Sequence, residues 1–328
     1  MGEATKIQWC DHTFNPWRGC TKVSAGCKFC YAEAMSGRNP GVLGVWGDDG
    51  TRVVAAESYW RQPFKWDREA KAAGERRRVF CASLGDVFEQ NDWLVEPRRR
   101  LFGVIAETPH LDWLLLTKRP HVAAEWLPKM VRDIRDTLLA YGRNRPLPNK
   151  DHLLLDSLVD SGVFPNVWLG TSVEDQAAAN RRIPDLLEIP AAVRFVSAEP
   201  LLGPVNLVDA HAYGYAWDYL RGERWSAAHA TRVRGLDWVI GGGESGPNAR
   251  PFNLQWARDL RDQCREAGVA FFMKQLGSKP QEPVRGPEFG LPEGATPKGY
   301  AWRMDLRDKK GGDMTEWPED LRVRELPR

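Results

Sequence analysis

The stretch Asp237-Trp238-Val239-Ile240-Gly241-Gly242-Gly243-Glu244-Ser245 decides how the fold is read. Its continuous apolar run, with a tryptophan and two β-branched residues, suits a strand buried on both faces of a parallel sheet. The run then breaks into three glycines and two polar residues. Five more runs share this build, at residues 78–83, 112–117, 166–171, 194–197 and 269–274, and a first strand is expected just before Cys20. Helical patterns separate them. Pro97 opens one that carries Leu101, Val104 and Ile105 on one face. Asn253 can cap another, with Ala257, Leu260, Cys264 and Ala267 at helical spacing and Gly268 closing it. Residues 121–136 and 174–187 are weaker helical candidates. Strand and helix in alternation mean a parallel α/β sheet or barrel.

The strand runs end alike. They give Ser83-Leu84-Gly85-Asp86, Thr117-Lys118-Arg119, Thr171-Ser172-Val173-Glu174, Ser197-Ala198-Glu199-Pro200, Gly241 to Ser245, and Lys274-Gln275. In βα barrels the active site is built at the C-terminal ends of the strands. One polar end is an ordinary helix cap, whereas a full set reads as a ring of ligand contacts.

Composition sets bounds. The chain has 328 residues, 42% apolar, 27% charged, with a net charge of +2. That balance is not the footprint of a dedicated nucleic-acid binder. The 15 tryptophans read chiefly as packing. No apolar run approaches the roughly 18 residues of a membrane span, and the first residues carry no signal pattern. A cytoplasmic location is expected. Six cysteines in that setting are expected reduced or metal-bound.

Cys20-x6-Cys27-x2-Cys30 is the strongest chemical signal. Thiolates are what iron–sulfur clusters need, and three of them leave one iron open. The spacing resembles that of the radical S-adenosylmethionine (SAM) superfamily, with a stretched first gap and an aromatic, Phe29, before the last cysteine. Such a cluster, a [4Fe–4S] cluster, binds SAM at its open iron and yields a 5′-deoxyadenosyl radical. The alternative is a structural zinc, for which Cys10 or His12 supplies a fourth ligand. The gaps are irregular for a zinc ribbon, with no second Cys-x2-Cys pair. A closed four-cysteine cluster using Cys10 is a lesser alternative. Cys81 and Cys264 read as small buried residues.

The chain also resembles a phage-associated family of radical-SAM-like proteins of unknown function. The matching stretches are Ile7-Gln8-Trp9-Cys10-Asp11-His12-Thr13-Phe14-Asn15-Pro16-Trp17-Arg18-Gly19-Cys20, Cys27-Lys28-Phe29-Cys30-Tyr31-Ala32-Glu33, Phe195-Val196-Ser197-Ala198-Glu199-Pro200-Leu201-Leu202, Gly241-Gly242-Gly243-Glu244-Ser245-Gly246-Pro247, and Glu316-Trp317-Pro318-Glu319-Asp320-Leu321-Arg322-Val323-Arg324. Cys10 stands where such proteins are expected to carry threonine. The resemblance implies an incomplete (β/α)6 TIM-like radical SAM barrel with SAM lying over the cluster. Residues 1–277 would form it, with insertions near 37–57, 140–151 and 206–235, and residues 278–328 would be an extension wrapping it. Phage context points to nucleobase or nucleotide chemistry, such as isomerising an amino-acid-modified thymidine during DNA hypermodification, by association rather than by physics. A free small molecule or peptide is the alternative substrate, and a non-catalytic metal-binding protein the alternative class. An electron-donor protein is an expected partner, and a membrane is not.

The cofactor-binding candidates are Ser83, Asp86, Thr171, Ser172, Glu174, Ser197, Gly241, Gly242, Gly243 and Glu244. Glycines admit close backbone approach, and carboxylates accept from ribose hydroxyls or an ammonium. For Glu174 a helix first-turn charge is the competing reading. Lys118 and Lys274 are candidates to pair with phosphate or carboxylate, and Glu199 to act as acid–base group or to hold a substrate amine; these three are the catalytic candidates. Tyr213, Tyr215, Trp217, Tyr219, Arg221, Arg224, Trp225 and Arg232 mix aromatic and basic character, which suits single-strand contact or simple flank packing.

Overall fold

The computed structural model describes residues 5, 7–142, 163–227, 229–283 and 301–327. Two compact units emerge. One comprises Met1–Val23, Cys30–Thr171 and Glu188–Arg194, the other Ser24–Phe29, Ser172–Leu187 and Phe195–Arg328. Seven strands carry the parallel ladders of the two units. We label them β1 (His12–Phe14), β2 (Arg77–Cys81), β3 (Leu111–Thr117), β4 (Val167–Ser172), β5 (Val193–Ala198), β6 (Trp238–Gly242) and β7 (Ala270–Gln275).

In the first unit β1, β2, β3 and β4 pair in parallel, with His12 opposite Val79, Val79 opposite Trp113 and Leu115 opposite Leu169. In the second, β6 lies parallel to both β5 and β7, with Trp238 opposite Phe195 and Ala270. Every residue of β5 and β6 is buried. This explains their unbroken apolar runs: neither face meets water, so alternation never appears. The expected strand before Cys20 stops at Phe14. Pro16 cannot donate to a ladder, and the chain resumes as Trp17–Arg18, antiparallel to Val53–Val54.

The helices that matter are α1 (Tyr31–Arg38), α2 (Gln62–Ala73), α3 (Val95–Ala106), α4 (Pro120–Gly142), α5 (Gln176–Leu187) and α6 (Leu254–Ala267). α3 buries Leu101, Phe102, Val104 and Ile105. α6 is capped as its sequence foretells. The Asn253 side chain accepts from Gln255 N at 2.9 Å, and Gly268 ends the helix at φ 70°. Asn253→Ala is expected to cost about 1 kcal/mol, read as a lower denaturation midpoint; an unchanged midpoint would show the cap to be idle.

The stretch 206–235 is a four-stranded antiparallel sheet, Ala210–Ala212, Tyr215–Asp218, Glu223–Trp225 and Ala230–Arg232. Tyr213 and Gly214, both at positive φ, make its first two-residue turn. Trp217 and Tyr219 are buried, and the Arg224 guanidinium lies over the Tyr215 and Trp217 rings. Tyr213 and Trp225 remain exposed. In the stretch 37–57 a short helix, Pro40–Leu43, precedes Val53–Val54. Of the stretch 140–151, residues 143–151 lie outside the described residues, as do residues 284–300 of the C-terminal segment. Of the rest of that segment, Pro280–Pro283 pairs antiparallel with Ala301–Arg303, and residues 323–325 return along β7: Met273 N donates to Val323 O at 2.8 Å and Glu325 N to Phe271 O at 2.9 Å. Among the described residues no helix is long and apolar enough to cross a membrane.

Candidate active site

The approach to Cys20 is fixed before the cysteine is reached. The Asn15 side chain joins the Ser83 hydroxyl and accepts from Leu84 N at 2.7 Å. Gly19 N donates to Leu84 O at 3.0 Å. Gly19 has φ +109°, and a Cβ there would sit 2.6 Å from Thr51 O, so only glycine serves.

Cys20 then enters a buried charged network. Asp86, after β2, accepts from Thr117 Oγ1 (2.7 Å), Phe88 N (2.9 Å), Lys118 N (3.0 Å) and Arg119 Nη1 (2.8 Å). A carboxylate offers about four acceptor positions, so the protein itself fills this one. Arg119 is 7% exposed. Its Nη1 also lies 3.8 Å from Cys20 Sγ, and its Nη2 donates to Thr21 O at 2.9 Å. Alongside, Glu89 accepts from Thr21 N and is paired with Arg52 at 2.6 Å. Burial, and then the Asp86 carboxylate, push the Cys20 thiol up to about 12 against the opposing pull of Arg119. The thiol therefore keeps its proton near neutrality.

Cys30 sits at the N-cap of α1 and packs on Ala32, Leu43 and Leu84. The next residue, Tyr31, donates its hydroxyl to Ser83 O at 2.6 Å. Thr171 is fully buried and donates its hydroxyl to Thr117 O at 2.9 Å.

In the second unit, two carboxylates hold the segment that carries Cys27. Glu174 is 1% exposed. It accepts from Ser24 Oγ, from Gly26 N at 3.2 Å and from Arg182 Nη1 at 2.6 Å, and Arg182 also donates to Ser172 O at 2.7 Å. Glu244 is bound by Arg250 through N, Nε and Nη2, the last at 2.7 Å. The same guanidinium donates to Ala25 O at 2.8 Å and lies over the Phe29 ring. Ser24 Oγ stands 3.7 Å from Cys27 Sγ. Both carboxylates, expected from the sequence to meet the cofactor, thus have protein partners.

The ends of β5, β6 and β7 form a second group. Glu199 accepts from Ser197 Oγ at 3.1 Å and pairs with Lys274 Nζ at 2.9 Å. A Cβ on Gly242 would lie 2.8 Å from Glu199 Oε1, and one on Gly243 would lie 2.3 Å from Leu276 O. A Cβ on Gly241 would meet the Phe271 ring at 3.2 Å. The glycine at 243 is demanded by neighbouring backbone, whereas at 242 a Cβ would meet chiefly the Glu199 carboxylate.

Three thiols on the stretch Cys20 to Cys30 are the soft donor set an iron–sulfur cluster takes, and a buried N–H donor already faces one of them. The residues fit that group by donor chemistry. Among the described residues no three or more His, Cys, Asp or Glu side chains are arranged to hold a metal ion, and none of the six cysteines forms a disulfide. Cys10 is buried, and His12 is buried with its ring stacked on Trp66 at 4.3 Å. Cys81 and Cys264 are fully buried.

Reasoning from sequence passed over Arg52, Glu89, Arg182, Arg250 and Ser24. Arg119 carried a signal, as a basic strand end, but was not chosen. Ser24 meets Glu174 across 150 residues, Arg250 meets Ala25 across 225, and Arg52 meets Glu89 across 37. Arg182 lies only 8 residues beyond Glu174, inside α5, where it reads as an ordinary helix charge.

Solved structures of spore photoproduct lyase are similar to this chain. A cysteine-to-alanine variant with dinucleoside spore photoproduct matches at TM-score 0.37 and 15% identity, over 61% of this chain and 48% of that one. A cysteine-to-serine variant matches at TM-score 0.41 and 13% identity, over 94% and 72%. The chain spans about half the length of the former. No curated protein matches significantly. Residues 4–314 match the family described as protein of unknown function (DUF5131), and the chain belongs to that family.

Proposed function

We propose that this chain is a radical SAM enzyme in which Cys20, Cys27 and Cys30 hold a [4Fe–4S] cluster on an incomplete (β/α)6 TIM-like barrel. One observation carries the reading. The segments bearing the cysteines are gripped by groups at the C-terminal ends of parallel strands: Asp86 and Arg119 for Cys20, Glu174 and the Glu244–Arg250 pair for Cys27. That is the end at which parallel α/β proteins place their chemistry. A cluster held there by Cys20, Cys27 and Cys30 would bind SAM and, with an electron from a donor protein, would supply its one-electron reductive cleavage.

The chain's own residues divide the remaining work. Glu199 and Lys274 form a half-buried ion pair, with Ser197 donating to Glu199, that can be offered to a substrate. A substrate ammonium or hydroxyl competes for Glu199, and a phosphate for Lys274. Lys118 follows β3 as a second cation. The substrate we infer is a nucleobase or nucleotide, with isomerisation of an amino-acid-modified thymidine the leading case. A flipped base suits chemistry at strand ends, since base-modifying enzymes must unstack their target.

The test is anaerobic reconstitution with iron and sulfide, followed by SAM and a one-electron reductant. The expected result is a brown protein that releases 5′-deoxyadenosine; bound zinc without SAM cleavage overturns the reading. Mass spectrometry of nucleosides from source DNA, with and without the gene, then tests the substrate. SAM cleavage with unchanged nucleosides transfers the assignment to a free small molecule or peptide.

A further inference from the structure

Resting on the cluster reading above, we propose that Arg119 is a positioning residue that sets the cluster's reduction potential through an N–H···S contact to Cys20, with Asp86 as its counterweight. The geometry is specific. Nη1 carries two hydrogens, enough for both Asp86 Oδ2 at 2.8 Å and Cys20 Sγ at 3.8 Å, while Nη2 is taken by Thr21 O at 2.9 Å. Asp86 is itself held by Thr117 Oγ1, Phe88 N and Lys118 N. The guanidinium is therefore fixed from two sides, is nearly dry, and cannot swing away from the sulfur.

The sign follows from charge. Reduction adds one electron to the cluster. A permanent cation bonded to a ligand sulfur favours the more negative, reduced state, and hydrogen bonds to cluster sulfurs raise reduction potentials. The neighbouring carboxylate opposes this. Loss of the cation and loss of the anion must then move the potential in opposite directions. A residue that only props up the loop would instead weaken both variants alike.

The experiment compares reconstituted wild-type, Arg119→Gln, Arg119→Lys and Asp86→Asn proteins. Each is assayed for iron per chain and for midpoint potential, by redox titration followed by the electron paramagnetic resonance signal of the reduced cluster. Arg119→Gln is expected to disfavour reduction about tenfold, 59 mV for a one-electron couple. Arg119→Lys keeps the charge and should fall between it and wild type. Asp86→Asn should shift to a more positive potential. Should Arg119→Gln fail to assemble a cluster, Asp86→Asn and Arg119→Lys decide the matter. Unchanged potentials, or shifts of one sign in both the arginine and aspartate variants, overturn the inference. A wild-type chain that takes up no iron overturns the cluster reading itself, and is told apart because no variant is needed to see it.

Discussion

Replacing Cys27 by alanine is expected to leave a folded chain that no longer holds an iron–sulfur cluster and no longer cleaves SAM. The fold should survive because the segment keeps its other anchors. Glu174 grips Ser24 and Gly26, and Arg250 grips Ala25 and covers Phe29, all through groups that the substitution leaves in place. Cluster binding should not survive. Three thiolates are the fewest that leave one iron open in the proposed site, and Cys81 and Cys264 lie in the core, where they cannot substitute. Iron and sulfide content, visible absorbance and 5′-deoxyadenosine yield measure the outcome, with Cys264→Ala as the control that keeps all three. Retained iron and activity in Cys27→Ala would show that the wrong ligands have been named.

Glu174→Ala should destabilise the protein by about 3–5 kcal/mol, the usual cost of stripping a buried cation of its partner. Arg182 and Glu174 have side chains 7% and 1% exposed and meet at 2.6 Å. With the carboxylate gone, Arg182 keeps the Ser172 carbonyl among the described residues, and the Cys27 segment loses an acceptor for Ser24 and Gly26. Replacing both partners, with Glu174→Leu and Arg182→Met, should recover much of the loss, because no unpaired charge is then left in the interior. Denaturant unfolding reads both. A loss below about 1 kcal/mol in the single variant would mean that water reaches Arg182.

The strands were legible because burial on both faces writes itself as an uninterrupted apolar run. The run read at residues 237–241 is the strand Trp238–Gly242. α6 was equally legible, since its two ends carry their own chemistry in Asn253 and Gly268. The short strand His12–Phe14 was misplaced toward Cys20 because three residues are too few to show a period. The glycines at 242 and 243 announced a close approach, but not of what: the nearby atoms belong to Glu199 and Leu276. Glu174 and Glu244 were visible as strand-end acids, while their partners were not. A carboxylate looks the same in sequence whether it faces a ligand or an arginine brought up by the fold.

The backbone of residues 323–325 lies along β7, and this has a consequence for how the molecule behaves in a crowd. β7 is the last strand in its sheet. Bare, it would offer a row of open amides and carbonyls flanked by Phe271 and Met273, which any stray strand could join. Val323 and Glu325 occupy those positions instead, and the Arg324 guanidinium covers the Phe272 and Trp317 rings. The segment therefore acts as a guard against self-association. Nicking the chain ahead of it would expose an adhesive border while leaving the cysteine loop's anchors untouched.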